Sequence, residues 1–219
     1  MIRFLFDYIS PYSYLAWTRV HDVAARVSRE VEPVPVLFAA LLDAWGQKGP
    51  AEIAPKREYI FKEVLRRAHD LGLRVTPPPS HPFNPLPALR ATCAITDPGE
   101  KKRAIDALYR ATWGGGEGVD GEARVALVLS DAGLDGESIV RAARTAEVKE
   151  QLREGTERAR ASGAFGVPTM IVDGELFWGD DSFAHLERFA RGDDPIDRVA
   201  LERWRTLSAS AVRPGSRPA

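Results

Sequence analysis

Hydrophobic positions change period along the chain, and each change marks an element. Ile2 to Asp7 is short, apolar and aromatic, the pattern of a buried strand. Ser10-Pro11 reads as a helix start, because serine is a favoured N-cap and proline suits the first helical position. Tyr14, Trp17, Val20, Val23, Ala24 and Val27 then recur at helical spacing. Val31-Glu32-Pro33-Val34-Pro35-Val36 is β-branched and proline-bearing, which predicts an extended segment near a sheet edge.

The middle of the chain reads helical over Leu37 to Trp45, Tyr59 to Leu71, Leu86 to Ile95, Lys101 to Trp113, Gly121 to Ala132 and Gly136 to Ser162. Gly46 to Lys56 reads as a loop, the proline run from Val75 to Pro82 as an ordered one, and Gly114-Gly115-Gly116 as a break. Strands return at Thr169-Met170-Ile171-Val172 and Glu175-Leu176-Phe177-Trp178, joined by the hairpin signal Asp173-Gly174. Asp180-Asp181-Ser182 offers N-cap residues to a last helix with Phe183, Leu186, Phe189 and Ala190 on its apolar face. Gly192 closes that helix, and Ser208 to Ala219 reads as a fraying tail. With the helical block spliced out, β-α-β followed by β-β-α is the element order of a thioredoxin fold. The expected architecture is thus α/β: a discontinuous thioredoxin-fold domain from 1–37 and 163–207, with an all-helical insertion at 38–162.

Composition narrows the function classes. Thirty Lys+Arg against 31 Asp+Glu gives a net charge of -1, which removes the electrostatic argument for nucleic acid or an anionic membrane as the main partner. No run approaches the ~20 apolar residues of a membrane span, and Asp7 breaks the short apolar start, so a soluble cytoplasmic protein is expected. The single cysteine, Cys93, forbids an intramolecular disulfide, a CxxC centre or a cysteine-based zinc site. Lying within a helical stretch, Cys93 reads as a small core residue. The histidines His21, His69, His81 and His185 lack metal-ligand spacing and read as surface or packing residues; no metal is expected.

Three short segments carry candidate chemistry. Ser10 stands at a strand-to-helix junction, where free N–H groups and the positive helix end would stabilise a thiolate, unless it only caps its helix. In Gly166-Val167-Pro168-Thr169 a proline directly precedes an interior strand; a cis Val167–Pro168 bond would leave Val167 N–H and C=O unpaired and able to bind an extended peptide-like ligand. In Trp178-Gly179-Asp180-Asp181-Ser182 the carboxylates suit an α-ammonium group, or act simply as caps.

Taken together, these residues resemble the 2-hydroxychromene-2-carboxylate isomerase family, relatives of kappa-class glutathione transferases with a DsbA-type thioredoxin fold. The resemblance rests on Phe6 to Ala16, Gly46 to Tyr59, His81 to Leu86, Gly163 to Thr169 and Trp178 to Asp181. It implies glutathione as cofactor and Ser10 as the catalytic hydrogen-bond donor to its sulfur. It further implies that the Val167 backbone beside Pro168 pairs with the cysteinyl unit, that Asp180 and Asp181 hold the γ-glutamyl end, and that Lys56 contacts the tripeptide. Gln47 stands where relatives often carry asparagine. Tyr12, Asn84 and Trp178 are placed at the substrate cleft, and a homodimer is implied. Serines at both CxxC positions, Ser10 and Ser13, leave no thiol for disulfide exchange. The expected activity is glutathione-dependent cis-trans isomerisation of an aromatic-derived unsaturated carboxylate. A kappa-like transferase and a non-catalytic thioredoxin-fold binding protein are the alternatives.

Overall fold

The structure, a computed structural model, describes residues 1–208, 210 and 211. Most of the expected tail therefore lies outside the described residues. Four strands, β1 (Ile2–Phe6), β2 (Val31–Pro35), β3 (Thr169–Val172) and β4 (Glu175–Trp178), form one sheet in the order β2-β1-β3-β4. β1 pairs parallel with β2 and antiparallel with β3, and β3 pairs antiparallel with β4. The proline-bearing β2 lies at an edge, where its missing donors disrupt no interior ladder. Asp173 and Gly174 both take positive φ, 49° and 89°, as a two-residue hairpin requires.

Strand alternation divides the core. Ile2, Phe4, Phe6, Met170 and Val172 face one side, against α1 (Pro11–Arg26) and α9 (Phe183–Ala190). Leu5 and Ile171 face the other, against α2 (Phe38–Ala44) and α8 (Ala146–Ala161). Between lie α3 (Ala54–Asp70), α4 (Leu86–Ala94), α5 (Pro98–Trp113), α6 (Glu122–Asp131) and α7 (Gly136–Ala143). The helical block is thus inserted between β2 and β3 of the α/β sheet domain.

Four sequence expectations are corrected. The helix expected from Tyr59 begins at Ala54, with Pro55 in its first turn, so Lys56 is helical and not part of the loop. The single helix expected over Gly136 to Ser162 is two, because Thr145 leaves helical geometry and caps α8 by accepting from Val148 N–H at 3.3 Å. Asp180-Asp181-Ser182 does not cap α9 by a side chain; Ser182 Oγ donates back to Gly179 O at 2.8 Å. The amphipathic helix α10 (Arg198–Arg205), capped by Asp197, was not anticipated.

Candidate active site

Each residue of the site is placed by an element end. β1 stops at Phe6, and its carboxyl-side neighbour Asp7 turns inward to full burial. The Asp7 carboxylate accepts from Ile9 N–H at 3.1 Å and Phe38 N–H at 3.0 Å, tying the β1–α1 junction to the start of α2. Burial pushes this carboxyl up to about 7, against both hydrogen bonds.

Ser10 caps α1 from that junction, accepting from Ser13 N–H at 3.2 Å. Pro11 has no N–H, and the Tyr14 donor is returned to Ser10 O at 3.3 Å. Tyr12 N–H is the donor of this first turn left without a partner among the described residues. The Ser10 hydroxyl hydrogen points to Val167 O at a long 3.5 Å. Val167 has no backbone partner of its own among the described residues, and its bond to Pro168 is cis. A peptide edge without backbone partners, a reorientable hydroxyl and a free N–H at a helix terminus therefore converge. Ser13, in the first turn of α1, is fully buried.

These groups open onto a cavity of about 830 Å³ between the sheet end and the helical block. Ser10, Tyr12, Gln47, Lys56, Val167, Pro168, Trp178, Asp180 and Asp181 all line it. Asn84 does not. Although its neighbours Phe83 and Pro85 line the wall, Asn84 is exposed and its Oδ1 accepts from Leu86 N–H at 3.1 Å, fixing the start of α4. Trp178 packs against Phe165 with the rings tilted, 5.2 Å between centroids.

Two residues were missed at the acidic pole. Asp180 is buried, and Arg67 reaches its Oδ1 at 2.5 Å. The same guanidinium bridges Glu63 at 2.9 Å and Asp181 at 3.4 Å and lies 5.5 Å over the Tyr12 ring. Tyr12 donates its hydroxyl to Glu63, and burial followed by that carboxylate holds the phenol above its usual range. Asp180, raised by burial despite Arg67, is committed to the protein; Asp181 is the exposed carboxylate left facing outward. Lys56, Ile60, Glu63 and Arg67 recur at helical spacing, a stripe that starting the helix at Tyr59 had truncated.

His81, expected to be a surface or packing histidine, packs against the rings of Phe61, Phe83 and Trp113, and it also lines the cavity, which the sequence did not signal. Its Nε2–H donates to Ile9 O at 3.0 Å, since a carbonyl can only accept. Burial holds the imidazole below its ordinary pKa, so it is neutral. Cys93 is half-buried away from the cavity, and burial pushes its thiol up to about 11. No group of acidic, histidine or cysteine side chains suited to a metal occurs among the described residues.

The family model for the DSBA-like thioredoxin domain matches residues 1–190. The chain belongs to that family. Within it, the chain is 29% identical over 190 residues to a 2-hydroxychromene-2-carboxylate isomerase of Sphingobium xenophagum, covering 86% of this chain and 96% of that protein. It is 27% identical over 204 residues to glutathione S-transferase kappa 2 of Caenorhabditis elegans, covering 86% and 91%. A solved 2-hydroxychromene-2-carboxylate isomerase shares the fold with a TM-score of 0.79 at 24% identity, over 94% of this chain and 99% of that one. Disulfide exchange needs paired thiols; this chain has one cysteine, Cys93, and so no CxxC pair.

Proposed function

We propose that this chain is a glutathione-dependent isomerase acting on an aromatic-derived unsaturated carboxylate. The observation that carries the reading is the convergence of Ser10 Oγ, the unpartnered Tyr12 N–H and the Val167 peptide on one cavity wall. The groups present suit glutathione. Val167 offers a donor and an acceptor to an extended tripeptide backbone. Asp181 suits its ammonium group, and Lys56, without an ion-pair partner among the described residues, suits a carboxylate.

Bound glutathione would supply a thiol that adds reversibly to an electron-poor carbon, permits bond rotation and leaves unchanged. Ser10 donates its hydroxyl hydrogen to the sulfur when the ligand displaces the long contact to Val167 O. Tyr12 N–H adds a second donor, and the positive end of α1 favours the ionised form. No base hydrogen-bonds the Ser10 hydroxyl among the described residues, so it acts as a donor and not as a nucleophile.

Replacing Ser10 by alanine is expected to lower glutathione-dependent isomerisation of 2-hydroxychromene-2-carboxylate about 10²–10³-fold. Undiminished turnover would refute the assignment. The similarity to a kappa-class transferase supports a second reading, in which a stable conjugate is released. Glutathione recovered at the end of the reaction supports the isomerase; its stoichiometric consumption supports the transferase.

A further inference from the structure

Two stripes of α3 divide the cavity wall. Lys56, Ile60, Glu63 and Arg67 form the first, and it leads to Asp180 and Asp181. Arg57 and Phe61, one residue on, form the second, and it leads to His81, whose ring lies 5.4 Å from Phe61. The first stripe carries the Glu63–Arg67 pair and, a turn or more earlier, Lys56, already assigned to the glutathione side. The second has a single charge, on Arg57, set against aromatic rings.

Arg57 is uncommitted. It is exposed and has no ion pair or side-chain hydrogen bond among the described residues. The neighbouring helical positions carry Ile53, Ala54, Ile60 and Phe61, so no acid lies one turn away. Elsewhere in α3 such pairs do form, as in Lys62 with Glu58 and Arg67 with Glu63. The Arg57 charge is close enough to His81 to oppose protonation of the imidazole.

His81 fixes this wall relative to Ser10. Its Nε2–H holds the carbonyl of Ile9, the residue immediately before Ser10. Phe61, Phe83 and the neutral imidazole thus make an aromatic wall beside the Ser10 turn, with Arg57 at its rim.

We propose that Arg57 is the specificity-determining residue for the second substrate, receiving its carboxylate while the aromatic skeleton lies against Phe61, His81 and Phe83. This rests on the function proposed above and adds which wall holds which ligand: glutathione lies along Val167 and Asp181, and the aromatic carboxylate along the second stripe of α3. A planar guanidinium suits a carboxylate through two parallel hydrogen bonds. Neutral His81 adds no competing charge, so discrimination against an uncharged isostere falls to Arg57.

Calorimetry with trans-cinnamate, cinnamamide and glutathione as separate probes tests this on the intact chain. The wild-type chain is expected to bind cinnamate more tightly than cinnamamide. Arg57→Gln should weaken cinnamate about ten-fold or more and leave cinnamamide and glutathione unchanged. Arg57→Lys should restore part of the loss. Equal weakening of cinnamate and cinnamamide, unchanged cinnamate binding, or weakened glutathione binding would each overturn the assignment. The cinnamate comparison is made without glutathione, so it decides the role of Arg57 even if glutathione fails to bind. That failure would instead refute the proposed cofactor.

Discussion

At the scale of single residues, Asp7 shows how burial and hydrogen bonding compete. Both its oxygens accept backbone N–H groups, yet full burial still raises its pKa from 3.8 to about 7. The folded state therefore binds this proton more strongly than the unfolded chain does. Stability contributed by the neutral carboxyl is complete below pH ~4 and is lost as pH rises towards 7. Asp7→Asn removes the titration and, at every pH, weakens one of the two backbone contacts. Relative to wild type the variant should gain roughly 4 kcal/mol between pH 4 and pH 7, read from urea unfolding at a series of pH values. A constant difference across that range would show that Asp7 does not titrate there. Residues of this scale were unevenly legible. Ser10 announced itself because Ser-Pro opens a helix, and the same side chain lines the cavity. His81 did not, because a lone histidine has no period, and its importance comes from reaching Ile9 across 72 positions of chain.

Between elements, the close approaches matter most. Gly136 opens α7 against α6, and a Cβ placed there would lie 2.0 Å from Ala126 O. Backbone on one side and a helix start on the other leave little room to yield. Gly136→Ala should cost roughly 2–3 kcal/mol. Gly155, within α8, would place its Cβ an ordinary 3.4 Å from Pro35 O. There the gain in helix propensity should dominate, and Gly155→Ala should stabilise by about 0.5–1 kcal/mol. Chemical denaturation of both variants checks the opposite signs. The existence and order of strands and helices were readable, because strand alternation and helical spacing are local. Breaks were less so. Thr145 ends one apolar stripe and caps the next, and nothing in the period itself marks that change. Starting α3 at Tyr59 had a larger consequence, since it removed Lys56 and Arg57 from the two stripes that line the cavity.

Across the whole molecule, the helical block and the sheet meet at a cavity whose acidic pole is pinned by Arg67. From α3 it holds Asp180 beyond β4, and Arg19 of α1 stands only 3.8 Å from the other carboxylate oxygen. Which helix face meets which loop depends on packing between distant segments, so this contact had no local signature in the sequence. Arg67→Leu would leave Asp180 buried with Arg19 alone and should cost roughly 3 kcal/mol at neutral pH. Adding Asp180→Asn should recover most of that loss, because the unpaired charge, not the missing hydrogen bonds, dominates the penalty. The pH dependence separates the two causes. A carboxyl that has lost its cation can escape the penalty by binding a proton, at about 1.4 kcal/mol less for each unit by which the pH is lowered. The Arg67→Leu deficit should therefore shrink from pH 7.5 to pH 5, while the deficit of the double variant stays level. Parallel deficits across that range would mean that Arg67 supports the cavity by packing over Tyr12 and not by neutralising Asp180.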